Sequence, residues 1–347
     1  MTHQIALIGF GGVGQGVVRL LKEKYEYVST QYKCHFKVVS ICDLYKGSLH
    51  CDDGLDLDSI IASIDRDRTL DHYQDHSGLI RGLTAKETIE RTNAKTIIEM
   101  TYTNVETGQP AIDHCKTAFT NKRNVILTNK GPVAIAKQEL EREARKHGVR
   151  FFYEGAVMSG TPAIRMPKMT LCGNEFLKVQ GILNGTTNYM LTQMEQGLDY
   201  DEALGKAQQL GYAEADPTND VKGFDVLYKV LILSQELFGV VLRKEQVSCV
   251  GIEKITPDLI EEATREGKRW KLLGSIEKTD DGVQAFVKPV KVPLSDPLAS
   301  VNGATNAITY DCDISGAITL IGAGAGIKET AFAVLIDLIH LEGWRST

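Results

Sequence analysis

Three glycines near the N-terminus constrain this chain more than any other feature. Gly9, Gly11 and Gly14 form a G-x-G-x-x-G string between a short apolar run, Gln4 to Ile8, and a helical stretch through Val18, Leu20 and Leu21. Glycine-rich turns are common, so the string alone says little. At a strand-to-helix junction it becomes a signature of dinucleotide binding. Gly9 permits the tight turn, Gly11 lets backbone approach a pyrophosphate, and Gly14 lets helix pack on strand. Gly12 and Val13 share the turn, where a helix N-terminus offers free N–H groups and a positive dipole to phosphate. A purely structural turn is the competing reading.

The next apolar run, Phe36 to Cys42, ends at Asp43. An acidic residue there accepts hydrogen bonds from an adenosine ribose and favours NAD over NADP. The gap from Gly14 exceeds the usual roughly 20 residues, so extra helix or loop must intervene. Asp43 suits a turn cap equally well, and Lys46 lies close enough to meet a 2′-phosphate. Residues 44 to 85 are polar and read as a connection with short helices. Pattern resumes with a strand at 95–101, helix signals from Ala111 to Phe119, a strand at 124–128, and a helix carrying Ile135, Leu140 and Ala144. Alternating strand and helix predict a parallel, doubly wound, Rossmann-like sheet. Ligands of such sheets sit beyond the carboxyl ends of the strands. Thr101, Thr103 and Lys130 fall there, although Lys130 also fits a solvated loop.

The second half reads as an α+β domain, with strands at 271–277 and 285–292. Small residues crowd Glu154 to Pro162, which points to close backbone approach or a bend. Asn184-Gly185-Thr186-Thr187 follows a strand and opens a helix, so its amides face either an anion or a plain cap. The stretch from Gly211 to Asp220 is acidic and leads into a helix from Val221 to Leu237 that is apolar nearly all round. Such a helix is buried, yet it carries Asp225 and Lys229 one turn apart on one face. Burying an unpaired ammonium costs several kcal/mol, so Lys229 has a partner or a task. A structural Asp225–Lys229 ion pair is the plain alternative. With Glu214, Asp216 and Asp220 upstream, the cluster suits an amine-bearing substrate and proton transfer from a hydroxyl. The run Ile321 to Gly326 is a second place for backbone to approach a ligand, or a close strand–helix turn.

Composition narrows the classes. The net charge of −6 argues against nucleic acid or an anionic membrane as partner. No apolar run reaches the roughly 18 residues of a membrane helix, and the N-terminus shows no basic, cleavable segment. A cytoplasmic location is the expectation. The seven cysteines are scattered and none form C-x-x-C, so reduced thiols are expected rather than disulfides or a zinc site.

Six ordered segments resemble the homoserine dehydrogenase family across essentially the full length. They are GFGGVG at the start, MTYTNVETGQPA from Met100, TNKGPVA from Thr128, NGTTNYM from Asn184, GYAEADPTNDVKGFDVLYK from Gly211, and GAGAGIKETAFAVLIDLI near the end. The resemblance implies NAD(P)-dependent interconversion of L-homoserine and L-aspartate 4-semialdehyde, on the route to threonine, methionine and isoleucine. It places Lys229 on the catalytic lysine, Asp225 on its neighbour, and Lys130 on a second lysine near nicotinamide and substrate. Glu214 falls on the residue that binds the substrate amino group, with Asp220 alongside, while Tyr212, Gly185 and Thr186 match other substrate contacts. Glu154, with the carbonyls of Val157 and Ser159, matches a site for a monovalent cation, Na+ or K+. Gly324 and Gly326 return the chain to the cofactor domain.

The implied division is a dinucleotide-binding domain over 1–150, a catalytic and dimerisation domain over 151–315, and a returning segment over 316–347. The family pairs its catalytic-domain sheets, so a homodimer or homotetramer is expected. Relatives that use NADP often carry an arginine near Asp43; this chain has only Lys46. No regulatory domain follows the last apolar helix, so feedback control through one is not expected. Rival readings are a dehydrogenase of another amino alcohol and a non-catalytic NAD(P) sensor, which would need no lysine inside an apolar helix. An aspartate-semialdehyde dehydrogenase would need an activated cysteine, which the sequence does not show.

Overall fold

A computed structural model describes residues 2–102 and 104–343, which form two compact units. The first unit runs to Ala156 and resumes at Gly326. In chain order it contains β1 (Thr2–Ile8), α1 (Gly12–Glu23), α2 (Tyr25–Gln31), β2 (His35–Asp43), β3 (Gly47–His50), α3 (Leu57–Asp67), β4 (Ile80–Arg81), α4 (Ala85–Arg91), β5 (Thr96–Glu99), α5 (Ala111–Thr120), β6 (Asn124–Leu127), α6 (Lys130–Lys146) and β7 (Phe151–Phe152). A last helix spans Ile327–Leu341.

Its seven-stranded sheet has the order β4-β3-β2-β1-β5-β6-β7. The five strands from β2 to β7 along this order pair in parallel, as the alternating pattern predicts. Residues 44–85 differ from the expected connection. There β3 pairs antiparallel with β2, and β4 with β3, so the sheet gains an antiparallel edge. These strands have four and two residues; pairing with β2, rather than hydrophobic period, makes them strands. The long gap between Gly14 and Asp43 is filled by α1 and α2. Ile5, Leu7, Val17, Leu20 and Ile41 form the core with Val334, Leu335 and Leu338 of the last helix. A Cβ on Gly16 would stand 2.7 Å from Ile327, so that glycine lets the last helix lie close on α1.

The second unit spans Val157–Ala325 and contains α7 (Arg165–Thr170), β8 (Phe176–Ile182), α8 (Gly185–Glu195), α9 (Tyr200–Gln209), α10 (Thr218–Val221), α11 (Phe224–Leu237), β9 (Ser248–Cys249), α12 (Pro257–Arg265), β10 (Lys268–Thr279), β11 (Gly282–Pro293), β12 (Thr305–Cys312) and β13 (Gly316–Ala323). The six strands are ordered β13-β12-β8-β10-β11-β9. All pair antiparallel except β11 with β9. Helices α8, α11 and α12 pack on this sheet. A Cβ on Gly274 would stand 2.7 Å from Val230 and 2.8 Å from Val226; the bare strand lets α11 settle onto β10. Residues 316–323, expected in the returning segment, form β13, because their register with β12 ties them to this sheet. The return to the first unit begins at Gly326. Among the described residues no helix is long and apolar enough to cross a membrane.

Candidate active site

In the first unit the strand order reverses at β1, which lies between β2 and β5, the place where such sheets bind ligands. Gly9 has φ +91° and its N–H donates to the Cys42 carbonyl at 2.8 Å. A Cβ there would stand 2.6 Å from the Met100 carbonyl, so only glycine lets these loops converge. A Cβ on Gly14 would meet the Gly9 oxygen at 2.7 Å, whereas nothing lies within 4 Å of that position on Gly11. Helix α1 has no acidic residue in its first turn and no side-chain cap. Its leading N–H groups, those of Gly12 and Val13 included, therefore have no intrahelical carboxylate competing with an anion. A pyrophosphate fits this cradle.

Asp43 closes it from the side. Its carboxylate accepts from the N–H of Phe10 at 2.7 Å and from those of Tyr45 and Lys46 at 3.0 Å each. Partial burial pushes its pKa up, but the three amides outweigh this and hold it below the usual carboxylate range. The residue thus caps the turn, as one reading of the sequence had it. A carboxylate has about four acceptor sites, so one is left for a ribose hydroxyl.

At the end of β5, Glu99 is fully buried. It accepts from the Thr101 hydroxyl and N–H, from Asn129 at 2.6 Å, and meets His114 Nδ1 at 3.2 Å. This network fixes Asn129 immediately before Lys130, the first residue of α6. The sequence reading named Thr101 and Lys130 but missed Glu99, although a lone acid in an otherwise apolar strand was the visible signal. Thr103 lies outside the described residues.

In the second unit Lys229 is 5% exposed on α11, where every residue from Val226 to Gln235 is buried. Its Nζ donates to Asp225 Oδ2 at 2.8 Å and to the carbonyl of Leu183. Asn184 is the hub of this cluster. Its Oδ1 accepts from the Thr187 N–H and hydroxyl, both at 2.9 Å, capping α8. Its Nδ2 donates to Asp220 at 2.7 Å and to Asp225 at 3.0 Å. One amide therefore ties the start of α8 to both acids and, through Asp225, to the lysine. The sequence had shown only a cap at this position.

Gly185, Thr186 and Tyr212 adjoin this hub. A Cβ on Gly185 would stand 2.7 Å from the Ala304 carbonyl. The Thr186 hydroxyl donates to the carbonyl of Tyr212, whose ring lies 5.0 Å from that of Tyr189. Glu214 is exposed two residues on, and among the described residues nothing pairs its carboxylate. Asp216 instead caps a local turn, accepting from the Thr218 N–H at 3.1 Å.

Two other groups of candidates look different. Gly324 packs against Asn306 in the second unit, where a Cβ would overlap the amide; packing alone accounts for this glycine. Glu154 is buried at 4%, and its N–H donates to Asp337 at 3.2 Å. Val157 and Ser159 are buried as well, and Met158 and Ser159 have φ of 57° and 55°.

A profile of the family described as homoserine dehydrogenase matches residues 162–339. The NAD(+)-dependent homoserine dehydrogenase of Pseudomonas canavaninivorans is 42% identical over 98% of this chain and 96% of its own length. Homoserine dehydrogenase of Methanocaldococcus jannaschii is 40% identical over 97% and 98% respectively. Among solved structures, a hyperthermophilic archaeal homoserine dehydrogenase mutant in complex with NADPH aligns with a TM-score of 0.84 and 27% identity, covering 99% of this chain and 98% of that one.

Proposed function

The chain belongs to the homoserine dehydrogenase family, and from that premise we propose how its residues carry the NAD(P)-dependent interconversion of L-homoserine and L-aspartate 4-semialdehyde. The nicotinamide supplies the hydride acceptor for C4 of homoserine. Lys229 handles the accompanying proton. In oxidation its neutral amine takes the C4 hydroxyl proton as the carbonyl forms, and in reduction its ammonium returns a proton to the developing alkoxide. Asp225 and the Leu183 carbonyl hold Nζ in place. A carboxylate at 2.8 Å favours the charged amine while burial favours the neutral one, and raising the pH favours oxidation, which needs the neutral amine.

Glu214 and Asp220 take the substrate ammonium, a role suited to carboxylates. The N–H groups of Gly185 and Thr186 face the substrate carboxylate at the start of α8, with Tyr212 alongside. Lys130 serves as a second candidate for proton transfer. The observation that carries this reading is the buried Lys229–Asp225 pair, locked by Asn184 to Asp220.

Cofactor choice follows from Asp43. A carboxylate held ionised beside the cradle accepts from a ribose hydroxyl and repels a 2′-phosphate, so NAD is preferred. The NAD(+)-dependent Pseudomonas relative at 42% identity supports this, whereas the archaeal neighbour is a mutant in complex with NADPH. The Glu154 carboxylate with the carbonyls of Val157 and Ser159 suits a hard monovalent cation, Na+ or K+. A homodimer or homotetramer in the cytoplasm completes the proposal.

The test is absorbance of reduced nicotinamide with L-homoserine as sole substrate, run with NAD and NADP in parallel. Reduction of NAD at the lower KM is expected. Silence with both cofactors in a folded protein overturns the substrate assignment, and a strict requirement for NADP overturns the role of Asp43.

A further inference from the structure

Three asparagines stand around the first turn of α8, and they are not alike. Asn184 spends its side chain on Thr187, Asp220 and Asp225. Asn188 donates to the carbonyls of Val301, Gly303 and Thr305 at 2.9–3.2 Å and accepts from Lys271 at 3.1 Å. Asn306, on β12, is fully buried, yet among the described residues neither Oδ1 nor Nδ2 has a partner. Its Oδ1 lies 3.5 Å from the position of a Cβ on Gly185, the first residue of α8, and its amide fills the space over Gly324. A buried amide without a partner costs about 1–3 kcal/mol, and such groups call for an explanation. Gly185 and Gly324 carry no side chain, and the amide packs into the space this leaves between them.

We propose that Asn306 is a further substrate-binding residue, which reads the zwitterionic head group of the amino acid. This rests on the homoserine reading above and extends it. A carboxamide offers a donor and an acceptor side by side, complementary to the carboxylate and ammonium of one α-amino acid. Nδ2 donates to the substrate carboxylate, beside the N–H groups that open α8, and Oδ1 accepts from the ammonium. Gly324 is then a glycine because any side chain would expel this amide.

The test compares Asn306→Ala and Asn306→Asp with wild type, using L-homoserine and 3-aminopropan-1-ol, which has the amine and hydroxyl but no carboxylate. For Asn306→Ala the expected result is a KM for homoserine raised about ten-fold or more, with the KM for NAD within two-fold. Its kcat/KM for 3-aminopropan-1-ol, which keeps the ammonium contact but has no carboxylate to lose, should fall by clearly less than that for homoserine. Asn306→Asp should raise the homoserine KM further, through repulsion of the carboxylate. The melting temperature of Asn306→Ala without substrate should hold or rise, because an unsatisfied group has been removed. An unchanged homoserine KM, or a fall in melting temperature with equal losses on both substrates, assigns the amide to an internal water and overturns the proposal. Wild type that turns over homoserine while Asn306→Ala is indifferent sinks this inference alone. Wild type inert toward homoserine sinks both.

Discussion

The second unit buries two lysines, and their surroundings are opposite. Lys229 on α11 meets a carboxylate, Asp225, at 2.8 Å, and Asn184 connects that carboxylate to a second one. Lys271 on β10 is fully buried, and among the described residues its hydrogen-bond partners are neutral, the Val301 carbonyl at 2.6 Å and Asn188 Oδ1 at 3.1 Å. Burial pushes the Lys271 pKa down to about 8; Glu195 opposes the shift and Arg269 adds to it. A lysine with no hydrogen-bonded carboxylate ties structure together at a cost in stability. A lysine held against a carboxylate that is itself tied to a second acid is equipped to exchange a proton with a substrate. Burial alone does not separate the two; the partner set does.

Removing the amine from each position should break the symmetry most sharply. Lys229→Ala is expected to lower kcat by about 10³-fold or more, roughly 4 kcal/mol of barrier, with the Kd for nucleotide within two-fold by fluorescence titration. Near-normal turnover would remove Lys229 from the chemistry. Asp225→Asn should act on the same step more weakly, with kcat for oxidation down by about 10–100-fold. Because it withdraws the charge that favours the ammonium, the rising limb of its kcat–pH profile for oxidation should move to lower pH. A limb at the wild-type position would show that Asp225 does not tune the lysine.

The smallest effect on turnover belongs to Lys271→Met, with kcat within three-fold of wild type. Its signature is in stability. A lysine whose folded pKa lies near 8, against 10.5 in the unfolded chain, is charged in both states below pH 8 and bears its full burial cost there. Between those values the unfolded chain holds more protons than the folded one, so stability rises with pH. The shift corresponds to about 3 kcal/mol. Denaturant midpoints from pH 7.5 to 10 should therefore climb in wild type relative to Lys271→Met. Parallel curves would mean that Lys271 titrates normally.

The same comparison shows what was legible in the sequence. Lys229 stood out because it interrupts a helix that is apolar nearly all round, and a 3.6-residue period makes such an anomaly visible in one line of text. Lys271 sits in a strand where alternating polar residues are ordinary, and only the packing of α8 and the loop at 301–305 shows that it is buried. The glycine cradle was legible because backbone contacts demand glycine at spaced positions, and Gly9 and Gly14 have the steric reasons expected of them. Asn184 and Asn306 were not, because a hydrogen-bonding hub and an unpaired amide are defined by neighbours distant in the chain. The edge strands β3 and β4 were missed for the same reason, since pairing and not periodicity makes them strands.

The central claim is that the Lys229 amine carries the substrate proton. Chemical rescue of Lys229→Ala addresses it most directly: the variant, saturated with NAD and L-homoserine, is titrated with small primary amines of graded basicity. The account predicts that turnover returns saturably and that the rescued rate scales with amine pKa. A variant that binds both ligands but is revived by no amine, or by all amines equally, would contradict it.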